Sequence, residues 1–169
     1  MLFGLVGSEM CIRDRYYGPG RFNEIGKFCE EFDIKNPLIV TDSGSKDLPF
    51  IKKLIALLSK NSIKSDLFYN ISPNPRDDEI SKGCDQFKNG SHDSIIAIGG
   101  GSAMDGGKSI CLTVNSETPL WDFEFEQPVP KITKENAFPK IITIPTTAGT
   151  GAETEITAMV THLEKGMKF

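Results

Sequence analysis

Four short strand-like runs recur along the chain, "NPLIVTD" from residue 36, "KSDLFYN" from 64, "SIIAI" from 94 and "KIITI" from 140, and helical patterns separate them. "RFNEIGKFCEEF" places Phe22, Ile25, Phe28 (or Cys29) and Phe32 at helical spacing, and "LPFIKKLIALLSKN" puts Ile51, Leu54, Ile55 and Leu58 on one face. Residues 77–89, "DDEISKGCDQFKN", open with carboxylates suited to the positive end of a helix, although Gly83 weakens that helix. A further helix is predicted from about Ala103 to Val114. Strands that alternate with helices pair in parallel, because parallel neighbours need a crossover connection. "SIIAI" is apolar without a break, as expected of a strand covered on both faces. The pattern predicts an α/β fold, a Rossmann-like parallel sheet with helices on both faces.

The 169 residues suffice for one domain with a real core, and the 38% hydrophobic content is ordinary. A net charge of -4 from 19 basic and 23 acidic residues offers no basic face for nucleic acid or an anionic membrane, so the expected partners are small molecules. No apolar run approaches the length that crosses a bilayer. The four cysteines lack CxxC spacing and scaffold density, which reads as reduced, structural thiols in a cytoplasmic protein. Residues 1–15, "MLFGLVGSEMCIRDR", fit a secretory signal poorly. Their "SEMCIRDR" piece resembles translated sequencing-adapter read-through, so the leader is expected to be non-native or disordered, with a single domain over 16–169. Residues 115–139 contain four prolines and "LWDFEFEQPVP", which reads as a surface loop anchored by Trp121 and the nearby phenylalanines.

The chemistry concentrates where strands end. "GGGSAMDGG" packs five glycines into nine positions directly after the third strand. In open α/β sheets ligands bind beyond the carboxyl ends of strands. Glycines there remove the Cβ atoms that would hold a ligand away, Ser102 is placed to cap the following helix, and that helix's free N–H groups favour an anion. Two standard phosphate motifs fail on spacing. Counting back from "GKS" at 107–109 puts Ser102 where a Walker A loop needs glycine, and Met104 stands at the third position of G-x-G-x-x-G. What survives is a glycine loop that approaches a pyrophosphate, with an ordinary tight turn as the bland alternative. A second loop, "IPTTAGTGAE" at 144–153, also follows a buried strand and offers the hydroxyls of Thr146, Thr147 and Thr150. Two such loops after two strands of one sheet would face one crevice.

The pair "GGGSAMDGGKSI" and "PTTAGTGAE", with "LIVTDSG" at 38–44 and "SPNP" at 72–75 in the right order, resembles the iron-type (group III) alcohol dehydrogenase family from about Tyr16 onward. Glycerol dehydrogenase and dehydroquinate synthase have similar glycine loops, but the "PTTAGTG" stretch favours the alcohol dehydrogenase branch. Gly107 and Ala152 depart from the family's usual alanine and serine.

The resemblance implies that Gly99, Gly100, Gly101 and Ser102 receive the pyrophosphate of NAD or NADP. It implies that Asp42 binds the adenine ribose, where a carboxylate accepts from two hydroxyls and repels a 2'-phosphate, favouring NAD. Asn74 matches a cofactor contact. Thr146, Thr147 and Thr150 match hydroxyls around the phosphates and the nicotinamide ribose, and Asp105 and Lys168 match positions beside the nicotinamide and its ribose. Asp42 alone would read as a turn residue, Asp105 as a favourable charge in a first helical turn, and Lys108 as helix packing or surface. The implied reaction is hydride transfer between a primary alcohol or aldehyde and nicotinamide, with a divalent metal, iron or zinc, polarising the substrate oxygen. His92 and His162 are expected to be ordinary surface histidines, and the metal ligands are expected downstream in a helical second domain. The chain then represents the cofactor half of an enzyme and is inactive alone. Two other accounts stay open: a lyase-type superfamily relative, and a non-catalytic nucleotide-binding module. Quaternary state also stays open, a homo-oligomer included.

Overall fold

A computed structural model of the chain describes residues 15–124, 127, 128, 130 and 138–168. The expected leader, apart from Arg15, and most of the Pro-rich loop after Glu124 lie outside the described residues. A 3-10 turn (Arg21–Glu24) leads into α1 (Ile25–Glu31). Then β1 (Pro37–Asp42), α2 (Pro49–Lys60), β2 (Asp66–Ile71), α3 (Asp77–Asn89), β3 (Ser94–Gly99) and α4 (Gly101–Thr113) alternate. A second 3-10 turn (Leu120–Phe123), β4 (Lys140–Pro145) and a small hairpin of β5 (Thr161–His162) and β6 (Met167–Lys168) follow.

The four long strands pair in parallel in the order β2-β1-β3-β4. Strand side chains alternate between faces, and the core follows that period of two. Ile39, Ile96 and Ile98 point to one side, where Ile25 and Cys29 of α1 and Ile51, Leu54 and Leu58 of α2 cover them. Leu38, Val40 and Ile95 point to the other, against Ile80 and Phe87 of α3, Ile110 of α4 and Val114 just after it. Burying one such side chain stabilises by about 1.5–3 kcal/mol, so the β1 and β3 runs hold the molecule together.

The strand order has a consequence for function. The chain steps from β1 to one side (β2) and then to the other (β3), so the adjacent crossovers lie on opposite faces and leave a crevice between the carboxyl ends of β1 and β3. Asp42 ends β1 and Gly99 ends β3.

Helix α4 lies close on the sheet. A Cβ on Gly107 would stand 2.5 Å from the Cβ of Ala97 in β3, which accounts for glycine at this position. α3 continues unbroken through Gly83, where a Cβ would meet Ile110 of α4 at 2.3 Å.

Two local expectations need correction. Helix α4 begins at Gly101, two residues before the predicted start, with Gly100 as its N-cap, so Ser102 does not cap it. Ser102 Oγ instead donates to the Pro73 carbonyl at 2.6 Å, and Asp105 falls beyond the first turn. Nor are the two histidines surface residues. His92 is 6% exposed, with Nδ1–H donating to the Asn36 carbonyl at 3.0 Å, and His162 stacks on Trp121 at 4.5 Å between centroids.

Candidate functional site

The glycine loop turns at Gly99, whose φ of +148° is a backbone state that L side chains rarely adopt. A Cβ there would lie 2.7 Å from Ala103 and 3.1 Å from Asp42 Oδ2, so the Asp42 carboxylate sits directly against the loop. It also organises its own turn, accepting from Gly44 N–H at 3.0 Å and Ser45 Oγ at 2.7 Å. The turn reading and the switch-point position therefore coincide in one residue.

The threonine loop closes on the glycine loop. Thr146 N–H donates to the Gly99 carbonyl at 2.9 Å. Thr147 packs over Gly100, with its Oγ1 3.4 Å from where a Cβ would be, and Thr150 packs over Gly101. A Cβ at Gly99 would clash, and Cβ atoms at Gly100 and Gly101 would stand in contact with Thr147 and Thr150, so the three glycines leave an open cradle of bare backbone where the two loops meet. The N-terminus of α4 faces it with no side-chain cap, and its first N–H groups have no partner within the helix.

A third strand tip completes the wall. "SPNP" follows β2, and Ser102 reaches it through Pro73. Glu79, 5% exposed in α3, holds this turn: its Oε2 accepts from Ser72 N–H (3.2 Å), Ser72 Oγ (3.0 Å) and Arg76 N–H (3.0 Å). Sequence reasoning missed Glu79. Its signal was a Glu three residues after a helix N-cap, disguised because the cap residue is Arg76 rather than Ser or Thr. Asn74 Oδ1 accepts from Lys168 Nζ at 3.1 Å, which brings together two residues 94 positions apart.

Lys108 was read as packing or surface, and it is a strut. Its Nζ donates to the carbonyls of Ala152 (3.0 Å) and Thr157 and pairs with Asp105 at 3.3 Å. That fixes the chain after the threonine loop and balances the Asp105 charge. Gly101, Ser102, Asp105, Thr150 and Lys168 line one cleft of 340 Å³. Gly99, Gly100, Thr146, Thr147, Asn74 and Asp42 adjoin it through the contacts above. A larger hollow of 650 Å³ lies at the amino ends of the strands, lined by Asn36, Lys64, Asp66 and Gly90 among others. None of the predicted residues reaches it.

The sequence profile described as "Iron-containing alcohol dehydrogenase" matches residues 13–169. The chain belongs to this family. It is 32% identical over 153 residues to choline dehydrogenase of Bacillus subtilis, an alignment that covers 90% of this chain and 38% of that protein. Against 1,3-propanediol dehydrogenase of Klebsiella pneumoniae the identity is 30% over 156 residues, covering 91% and 39%. Among solved structures, a 1,3-propanediol oxidoreductase superposes with a TM-score of 0.82 at 30% identity, covering 90% of this chain and 38% of that one. Sulfoacetaldehyde reductase from Bifidobacterium kashiwanohense, solved in complex with NAD+, gives 0.78 at 28% identity, covering 89% and 39%. The chain thus spans under two fifths of these iron-containing alcohol dehydrogenase relatives, and its parallel sheet corresponds to their N-terminal domain.

Proposed function

We propose that this chain is the coenzyme-binding part of an alcohol dehydrogenase that uses NAD in preference to NADP and acts on a small alcohol or aldehyde. One observation carries the reading: at the switch point, the glycine cradle, the hydroxyls of the threonine loop and the Asp42 carboxylate meet on adjoining strand tips. The NAD+ complex of a structural relative supports the same choice.

In this reading Gly99 to Ser102 and the N-terminus of α4 receive the pyrophosphate, whose charge the exposed N–H groups complement. Asp42 takes the adenine ribose hydroxyls and repels a 2'-phosphate. Thr146, Thr147 and Thr150 donate to phosphate or ribose oxygens, and Asn74, Asp105 and Lys168 lie toward the nicotinamide end. Bound NAD would supply the hydride acceptor. Three described cysteines are free thiols, in keeping with a reducing cytoplasmic setting.

The described residues do not fit the family's metal. No three His, Cys, Asp or Glu side chains among them stand together, and His92 and His162 sit apart in other contacts. We infer that metal ligation belongs to polypeptide outside this chain, and that the chain by itself binds NAD weakly without oxidising alcohols. Appreciable metal-dependent turnover by the purified 169-residue product would contradict this.

Calorimetric titration of the folded chain with NADH and NADPH tests the coenzyme reading. NADH is expected to bind more tightly. Asp42→Asn should weaken NADH about tenfold while improving NADPH relative to it, since losing a charge-assisted contact costs about 1.4 kcal/mol or more. The absence of heat with either coenzyme would sink the reading.

A further inference from the structure

The hairpin that carries Lys168 contributes little core of its own, because β5 and β6 span two residues each. What seats it is the segment just before and at the start of α3. Thr161 N–H donates to the Pro75 carbonyl at 2.7 Å, and Arg76 and Thr161 form a bridge. At one end Lys168 reaches Asn74. At the other, Asp77 Oδ2 accepts from Leu163 N–H at 3.4 Å and from the indole N–H of Trp121 at 3.3 Å, and stands 3.5 Å from His162 Nδ1. The rings of Trp121 and His162 lie parallel at 9°. One carboxylate oxygen therefore ties together three pieces: the first turn of α3, the 3-10 turn and the hairpin.

Asp77 does not touch the cleft, whereas Lys168 lines it. Lys168 stands six residues after His162, and the two-stranded pairing of Thr161 with Lys168 transmits the seating from one strand to the other. Without the Asp77 anchor the hairpin would lose its tie through Leu163 N–H and would lean on the Asn74–Arg76 turn and on the stacking of His162 against Trp121.

We propose that Asp77 is a positioning residue that, through Trp121 and the His162 strand, seats the β5–β6 hairpin so that Lys168 stands at the rim of the coenzyme cleft. The consequence for binding rests on the coenzyme reading above; the seating rests on the contacts alone.

Two measurements on the full chain separate these. The sequence has one tryptophan, so its emission reports the Asp77 cluster directly. Asp77→Ala should shift Trp121 emission to the red and speed amide exchange at Leu163, while Asp77→Asn, which keeps an acceptor oxygen, should leave both near the original. NADH affinity should fall roughly tenfold in Asp77→Ala and no more than about twofold in Asp77→Asn. Lys168→Met should cost roughly tenfold in the unmodified chain but less than about twofold on top of Asp77→Ala, because residues acting through one contact are not additive. Additive losses in the double variant, or NADH binding undiminished by Asp77→Ala, would overturn the positioning role. Unchanged emission and exchange in Asp77→Ala would overturn the seating itself. If the unmodified chain bound no NADH, the coenzyme reading and the role of the β5–β6 hairpin in binding would fall together, and the emission shift would still decide the seating.

Discussion

Single residues in this chain have environments that fix their chemistry. Burial pushes the Cys111 thiol up to about 12, and burial, with the Asp93 carboxylate adding to it, pushes Cys29 up to about 11. A buried apolar site disfavours the thiolate, which is the nucleophilic form. Both thiols should therefore resist iodoacetamide in the native chain at pH 8 and react once it is unfolded, a contrast that mass spectrometry reads directly. The sign of the pH effect follows. A folded-state pKa above the unfolded value of 9.0 contributes stability that is present below pH 9 and is lost as pH rises toward 11 and 12. Replacing Cys111 by Ala should flatten that alkaline decline in a denaturant-unfolding series. The expectation of structural thiols was legible from spacing alone, because an absent CxxC pattern needs no fold to be seen. Surface histidines were a poor expectation for a related reason: nothing in the residues flanking His92 or His162 encodes the distant Asn36 carbonyl or the Trp121 ring that cover them.

At the level of elements, apolar patterning specified the long strands and most of the helices, because each has its own apolar stripe to bury, while α3 was legible from the carboxylates at its start. The limits of α4 were less legible. The glycines after β3 read as a loop, yet the helix starts at Gly101, where the sheet and the threonine loop hold the backbone. Gly107 shows the same dependence on a neighbour. Alanine there would gain about 1 kcal/mol of helix propensity but would press its Cβ to 2.5 Å from Ala97, and overpacking of this kind costs about 1–3 kcal/mol. Gly107→Ala is expected to destabilise the chain to urea. Combined with Ala97→Gly, it should lose about 1 kcal/mol less than the two single changes summed, the mark of a direct contact. Strict additivity would mean that helix and strand do not meet there.

Over the whole molecule, the site exists because the sheet order brings separate stretches of chain to one end. Hydrogen exchange offers a global check. NADH should slow exchange at residues 99–103 and 146–150 together, and leave residues 59–66, beside the larger hollow at the opposite end, unchanged. Protection at the amino ends of the strands would relocate the ligand. No helix among the described residues is long and apolar enough to cross a membrane, in line with the apolar runs read from the sequence. By itself the sequence determined the alternation of elements, the parallel sheet and the two loops that flag the family, because burial periodicity and glycine placement are local properties of a chain. Tertiary structure alone decided that Lys168 meets Asn74 and that Asp77 gathers Trp121, His162 and Leu163. Those contacts join residues tens of positions apart, and only the crossing of strands in space sets which polar groups must share one another's hydrogen bonds once water is excluded.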